Sequence, residues 1–280
     1  MASPVRKWLV DAAQRIDAAL GPARVERIVL PPPLDRPGKE GEFCAVQLDD
    51  GSVGLAFTLL DGTLAALQAR GEQGGRTAME LVRGFVEGDG AARALGLAAI
   101  NALTRRLYDR AGFVPDDSID SFGSLALKPG DRLGMVGHFT PLIEQARALG
   151  IPVTVLELKA ELVREEPGLV VTLDPQRLAG CNKIVSTSTL LLNDTLDRML
   201  ACCRNARWFA MIGPGAGCLP DALFARGVTL LGGNWIVDGP NFIDALRRGE
   251  STSAFSRKSA ITPASYPGTA ALLQRIGNAA

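Results

Sequence analysis

The chain has 280 residues, 30 Lys+Arg against 30 Asp+Glu, and 47% hydrophobic residues. That is enough apolar chain to build a core and too much for a disordered one. The charge balance excludes a protein whose main task is to neutralise nucleic-acid phosphates, although a small anion needs only local charge.

Ser3-Pro4 is a helix start, an N-cap hydroxyl followed by a proline at the first helical position. Val5, Trp8, Leu9, Ala12, Ile16, Ala19 and Leu20 then recur at helical spacing, and Gly21-Pro22 ends the run. Extended segments are predicted over 25–30, 43–48 and 52–58. Asp49-Asp50-Gly51 forms a hairpin turn between the last two, and 31–42 is a polar loop. Helices follow over 77–87 and 91–109, so the first part reads as an α+β unit. Loop chemistry over 112–129 places a domain boundary there, dividing the chain into 1–115 and 116–280.

From Asp131 strands and helices alternate. Strands are predicted over 132–136, 152–156, 183–186, 208–212 and 228–231. Helices are predicted over 141–149, 195–201, 219–225 and 240–248, with a last helical piece over 270–276. Short apolar strands separated by helices imply a parallel sheet covered on both faces. The start at Met1 has no apolar signal-peptide core, and the longest uncharged apolar stretch, Gly227 to Val237, is far short of the roughly 20 residues that span a bilayer. Five cysteines with no C-x-x-C suit a reducing cytoplasm. A homodimer is the expected assembly.

In an open α/β sheet, ligands bind beyond the carboxyl ends of the strands. Three loops lie there: Gly137-His138-Phe139-Thr140, the run from Thr187-Ser188-Thr189 to Asn193-Asp194-Thr195, and Gly213-Pro214-Gly215-Ala216-Gly217-Cys218. A strand order 3-2-1-4-5 would make the first and third of these loops face each other. His138, the one histidine, is a candidate acid/base or metal ligand. Cys218, ahead of a helix, is a candidate thiolate metal ligand. The glycine run suits close approach of an anion to backbone amides. Asn193 and Asp194 either line a ligand or cap the helix that follows. Glu157 stands where a ribose-binding acid stands in dinucleotide folds. Asn101 is an amide inside an apolar helix and must find partners, plausibly across to the other domain.

Several blocks together carry a family resemblance. Val136-Gly137-His138-Phe139, Leu156-Glu157-Leu158, Asn193-Asp194-Thr195-Leu196-Asp197, Ile212-Gly213-Pro214 and Leu223-Phe224-Ala225-Arg226-Gly227-Val228 resemble the DUF364 family, associated with heavy-metal chelation. Gly54-Leu55-Ala56-Phe57-Thr58 and Ala98-Ala99-Ile100-Asn101-Ala102-Leu103 resemble its usual partner, the DUF4213 domain. The resemblance implies an enolase-N-terminal-like α+β domain, a Rossmann-like domain and a site in the cleft between them. The chain departs from the family at Ser186-Thr187-Ser188-Thr189 and at Gly215-Ala216-Gly217-Cys218, exchanging hydroxyls for a thiol, which would favour a softer metal.

Two functions are therefore expected. One is binding of a heavy or transition metal, or of a metal-chelating small molecule, in the cleft, with His138 and Cys218 as metal ligands, Glu157 and Asp194 as oxygen donors or supports behind them, and a role in metal homeostasis or metallocofactor assembly. The other is an enzyme acting on a small anionic or S-adenosylmethionine-like ligand, held by Gly137, His138, Phe139, Glu157, Thr187–Thr189 and Gly213–Gly217. Neither calls for nucleic acid or a membrane.

Overall fold

The computed structural model describes residues 3–32, 43–58, 62–71, 74–118 and 125–278. Helix α1 (Pro4–Leu20) starts as predicted, with Ser3 Oγ accepting the Arg6 N–H at 3.3 Å. Strands β1 (Val25–Val29), β2 (Phe43–Leu48) and β3 (Val53–Phe57) form an antiparallel meander in that order. Gly51, at φ 86°, supplies the left-handed residue of the β2–β3 turn. Most of the predicted loop between β1 and β2, residues 33–42, lies outside the described residues. Helices α2 (Thr63–Arg70), α3 (Ala78–Glu87) and α4 (Gly90–Arg110) complete the first part. A full capping box between Thr77 and Glu80 fixes the start of α3.

Helix α4 is apolar on nearly every side, which marks a buried helix. Its small residues set the packing distance. A Cβ at Gly54 of β3 would stand 2.1 Å from the Ala98 carbonyl oxygen, and one at Gly96 would stand 2.6 Å from the Phe85 nitrogen. Strand β3 and helix α3 therefore touch the backbone of α4 directly.

The remaining elements are β4 (Asp116–Asp117), β5 (Leu133–Val136), α5 (Thr140–Ala148), β6 (Val153–Leu156), β7 (Arg164–Glu166), β8 (Leu169–Thr172), β9 (Lys183–Thr187), α6 (Leu196–Cys202), β10 (Trp208–Ile212), α7 (Asp221–Phe224), β11 (Leu230–Ile236), α8 (Gly239–Arg248), β12 (Ser256–Ile261) and α9 (Thr269–Gly277). The predicted boundary segment is described except for residues 119–124. The strands make one nine-stranded sheet, ordered β4-β12-β11-β10-β9-β5-β6-β8-β7. The run from β8 to β11 is parallel, while β7, β12 and β4 join antiparallel at the edges. The chain is thus mixed α/β with a large, mostly parallel sheet.

This order corrects the assumed one. The strand after β6 and β8 in sequence, β9, inserts between β5 and β10. The point where the order reverses is β5/β9, and the His138 and Cys218 loops are not on neighbouring strands.

The largest buried cluster runs without a break from Val5 and Leu9 through Leu97 and Ile100 to Met211, Leu231 and Leu272. A second cluster lies beneath α5, between it and β5, β6 and β8. In a third, Phe242 and Leu246 of α8 meet Val29, Ala45 and Leu55 of the small sheet. The small sheet is therefore covered by α4 on one face and α8 on the other. No helix among the described residues is long and apolar enough to cross a membrane.

Candidate functional site

A small cleft, partly open to solvent, lies where α4 and β3 meet the 214–217 turn and strands β11 and β12. Helix α4 supplies Asn101, Arg105 and Tyr108. Steps of four and three residues put all three on one face of a helix. Strand β11 outruns β10 and carries Asn234 and Trp235 to the opposite wall. Strand β12 adds Ser259.

Asn101 joins the two parts of the chain. Its Nδ2 donates to the Leu55 carbonyl at 2.7 Å and to the Gly215 carbonyl at 3.3 Å. Turning the amide over would set its oxygen against both carbonyls, so the hydrogen bonds fix the orientation. Oδ1 is left buried with no partner among the described residues, and so is the hydroxyl of Tyr108. Burial, then the neighbouring Tyr266, Cys218 and Asp221, push the Tyr108 pKa well above its ordinary value, so it stays a neutral phenol.

At the mouth, the Arg105 guanidinium stacks 3.9 Å over Trp235. Its Nε donates to the Asp109 carboxylate at 2.8 Å and its Nη1 to the Ile236 carbonyl at 2.7 Å. On the other face of β12, away from Ser259, Lys258 Nζ donates to Asn234 Oδ1 at 2.9 Å.

The sequence candidates separate into three places. Asn101, Pro214, Ala216 and Gly217 line the cleft. The glycine turn, however, is filled by the chain itself. The Gly215 N–H is taken by Ser188 Oγ at 3.1 Å, Ala216 N–H by the Gly213 carbonyl and Gly213 N–H by Gly232. Gly213, at φ 125°, is needed because a Cβ there would stand 2.8 Å from Ser188 Oγ. These three amides are committed to the fold and are not available to an anion.

Gly137, His138, Phe139, Glu157 and Thr187 gather instead at the ends of β5, β6 and β9. His138 Nδ1 lies 3.3 Å from Thr140 Oγ1 and Nε2 lies 3.4 Å from the Arg164 guanidinium, so both ring nitrogens are engaged and one faces a cation. Glu157 accepts from the Leu158 N–H at 3.1 Å. Ser188 and Thr189 are buried. Asn193 and Asp194 form a third place. Asn193 Oδ1 accepts from Thr195 N–H and Oγ1, and Asp194 pairs at 2.9 Å with the buried Arg6 of α1. Arg6 Nε also donates to the Leu191 carbonyl at 3.0 Å, so this turn is bolted to the first helix.

Cys218 does not behave as a thiolate. It is fully buried, and that burial pushes its pKa up to about 12. A short turn in front of α7 does not offset desolvation on that scale. Burial raises Cys44 and Cys203 to about 12 as well, and all five cysteines are free and buried. Among the described residues no group of three or more His, Cys, Asp or Glu side chains could hold a metal ion. The pairing of His138 with Cys218 is thus corrected: their strands β5 and β10 are separated by β9, His138 faces Arg164, and Cys218 is protonated and enclosed. The described side chains do not fit a protein-built heavy-metal chelate.

Arg105, Tyr108, Trp235 and Ser259 escaped the sequence reading. The first two had a signal, since they follow Asn101 on its own helical face. Trp235 and Ser259 had none, because their placement depends on β11 pairing antiparallel with β12.

Among curated proteins, an uncharacterised protein of Methanocaldococcus jannaschii is 26% identical over 166 residues, 58% of this chain. The match spans 62% of that protein's length, less than two thirds of it. A crystal structure of a DUF364 protein of unknown function from Desulfitobacterium hafniense superposes with TM-score 0.65 and 19% identity, covering 91% of this chain and 98% of that one. Another, from Pyrococcus horikoshii, gives 0.62 and 17%, covering 91% and 99%. At these identities the structures report shared fold. The DUF4213 pattern, described as "Putative heavy-metal chelation", matches residues 41–104. The DUF364 pattern, with the same description, matches residues 120–265, more than half of the chain: the chain belongs to the DUF364 family.

Proposed function

We propose that the protein binds a metal as its complex with a small organic chelator, in the cleft between α4 and strands β11 and β12. The observation that carries this reading is Asn101 Oδ1, an acceptor buried beside the cleft and without a partner among the described residues. A buried orphan acceptor costs about 1–3 kcal/mol, and a ligand that donates to it recovers that cost. The family description speaks of metal, yet the described side chains do not supply a chelating set. A chelator that brings its own donors reconciles the two. The same reading takes residues 1–115 as an enolase-N-terminal-like unit and 116–280 as a Rossmann-like unit. It places the protein in metal homeostasis or metallocofactor assembly.

Equilibrium dialysis against nickel(II), alone and with equimolar citrate or phenanthroline, tests this. Metal is retained with a chelator and not without one. Stoichiometric retention of nickel alone, lost in His138→Ala or Cys218→Ser, would restore the direct-ligand reading and overturn this one. Retention under neither condition would overturn it too.

A further inference from the structure

We infer that the cleft takes an uncharged edge of its ligand, an azole or amide that presents an N–H to Asn101 Oδ1, while any charge the ligand carries stays outside with the solvent. The inference rests on the reading above for the place of binding and narrows the ligand.

Charge sets the first requirement. Among the described residues that line the cleft there is no Asp or Glu. The cation that lines it, Arg105, is already held by the Asp109 carboxylate and the Ile236 carbonyl, and stacks over Trp235. Arg257, also over Trp235 at 5.8 Å, is held by the Asp117 carboxylate and by the Pro115 carbonyl at 3.0 Å. Lys258 lies on the other face of β12. An anion entering the cleft therefore meets no unpaired cation, and a cation meets no carboxylate. Desolvating either one without a partner is costly.

The polar atoms set the second requirement. Asn101 is 3% exposed, its Nδ2 serves two carbonyls, and Oδ1 has no partner among the described residues. Only a donor satisfies that oxygen. The Tyr108 hydroxyl, held as a neutral phenol, is likewise without a partner among the described residues. Ser259 brings a second hydroxyl to the same cleft. All three groups are uncharged, and a hydroxyl meets a donor or an acceptor equally well. Between them the walls are aliphatic, with Val53, Leu55, Leu231 and Ile261. A polyol would leave its remaining hydroxyls against these side chains. A flat, uncharged group with one N–H and an acceptor beside it suits both the walls and the polar atoms.

Pyrazole and isoxazole make the test. They are rings of one size, both uncharged at pH 7, and differ by one N–H replaced by oxygen. Both are titrated against Trp235 emission in a Trp8→Phe, Trp208→Phe background, with acetate and guanidinium as the charged comparisons. Pyrazole is expected to bind roughly fivefold or more tighter than isoxazole, and the two ions to give no response. Tyr108→Phe, which keeps the ring in place, weakens both rings and preserves the preference. Gly217→Ala brings a Cβ to 3.4 Å from Asn101 Cβ and Cγ, an ordinary contact that fills the approach to the amide, and removes the preference without changing the melting temperature. Equal affinities for the two rings, a preference that survives Gly217→Ala, or an ion that binds as well as pyrazole overturns the inference. If the dialysis retains nickel with a chelator while the two rings bind alike, the inference falls and the metal-complex reading stands. If pyrazole is preferred and the dialysis retains nothing, the metal falls and the uncharged ligand stands.

Discussion

Replacing Tyr108 by Phe removes a buried hydroxyl and little else. The ring is 3% exposed and keeps its edge contact with Phe113, at 4.8 Å between centroids, and its stack with Trp235 at 6.5 Å. Its oxygen has no hydrogen-bond partner among the described residues. An unmet hydroxyl costs about 1–3 kcal/mol of desolvation, so deleting it should return about 1 kcal/mol. With unfolding entropy near 2.1 cal/mol/K per residue, about 1 kcal/mol corresponds to roughly 2 °C for a chain of 280 residues. Urea denaturation followed by circular dichroism, with the m-value unchanged, measures the difference directly. Tyr108→Leu serves as a control: it loses the ring and should cost about 3 kcal/mol. A loss of 1 kcal/mol or more in Tyr108→Phe would refute the reasoning, because it would mean that the hydroxyl already holds a partner, such as an enclosed water.

Gly54→Ala should fold poorly or not at all, its Cβ arriving 2.1 Å from the Ala98 carbonyl oxygen and 2.2 Å from the Ala102 nitrogen; soluble yield and thermal melting check it. Asp131 carries a pH dependence: burial pushes its pKa up, but hydrogen bonds from the Lys128 N–H, Lys183 and Asn182, with the Lys183 charge, outweigh this and hold it below the usual value. Its contribution is therefore complete above the unfolded value, near pH 4, and is lost as pH falls through the lower folded value. Asp131→Asn should be less stable than wild type at pH 7, and the gap should close toward pH 2; a gap independent of pH would contradict this. Cys218 and Cys44 should resist alkylation at pH 7.5 until denaturant is added, whereas rapid native labelling of Cys218, read by peptide mass spectrometry, would show an accessible thiolate.

The elements were legible where pattern is local. The caps of α1, the Asp49–Gly51 turn, α3, α4 and the strands β5, β6, β9 and β10 all follow from spacing and punctuation. Strand β12 reads Ser-Arg-Lys-Ser-Ala-Ile and shows no alternation, its first three residues polar and not buried and its last three buried. The β7–β8 hairpin passed as loop because β7 is three charged residues on an exposed edge. Strand order was not legible, because it is settled by which crossovers pack and not by any one strand's residues. That one missing fact misplaced His138 relative to Cys218. Asn101 was legible as an anomaly, a lone amide in a run of Ala, Ile and Leu. Its partners were not, because they are backbone carbonyls 46 and 114 residues away.

The shared core has a consequence for how the molecule comes apart. Leu97 and Ile100 of α4 belong to the same buried cluster as Met211, Leu231 and Leu272. Opening the seam would expose these surfaces on both sides at once and strand the Leu55 and Gly215 carbonyls now held by one amide. Cooperative units follow continuous burial rather than position along the chain. The expected calorimetric trace is a single endotherm whose van't Hoff and calorimetric enthalpies agree. A fragment ending at the predicted boundary would carry half a core and behave as a partly collapsed chain.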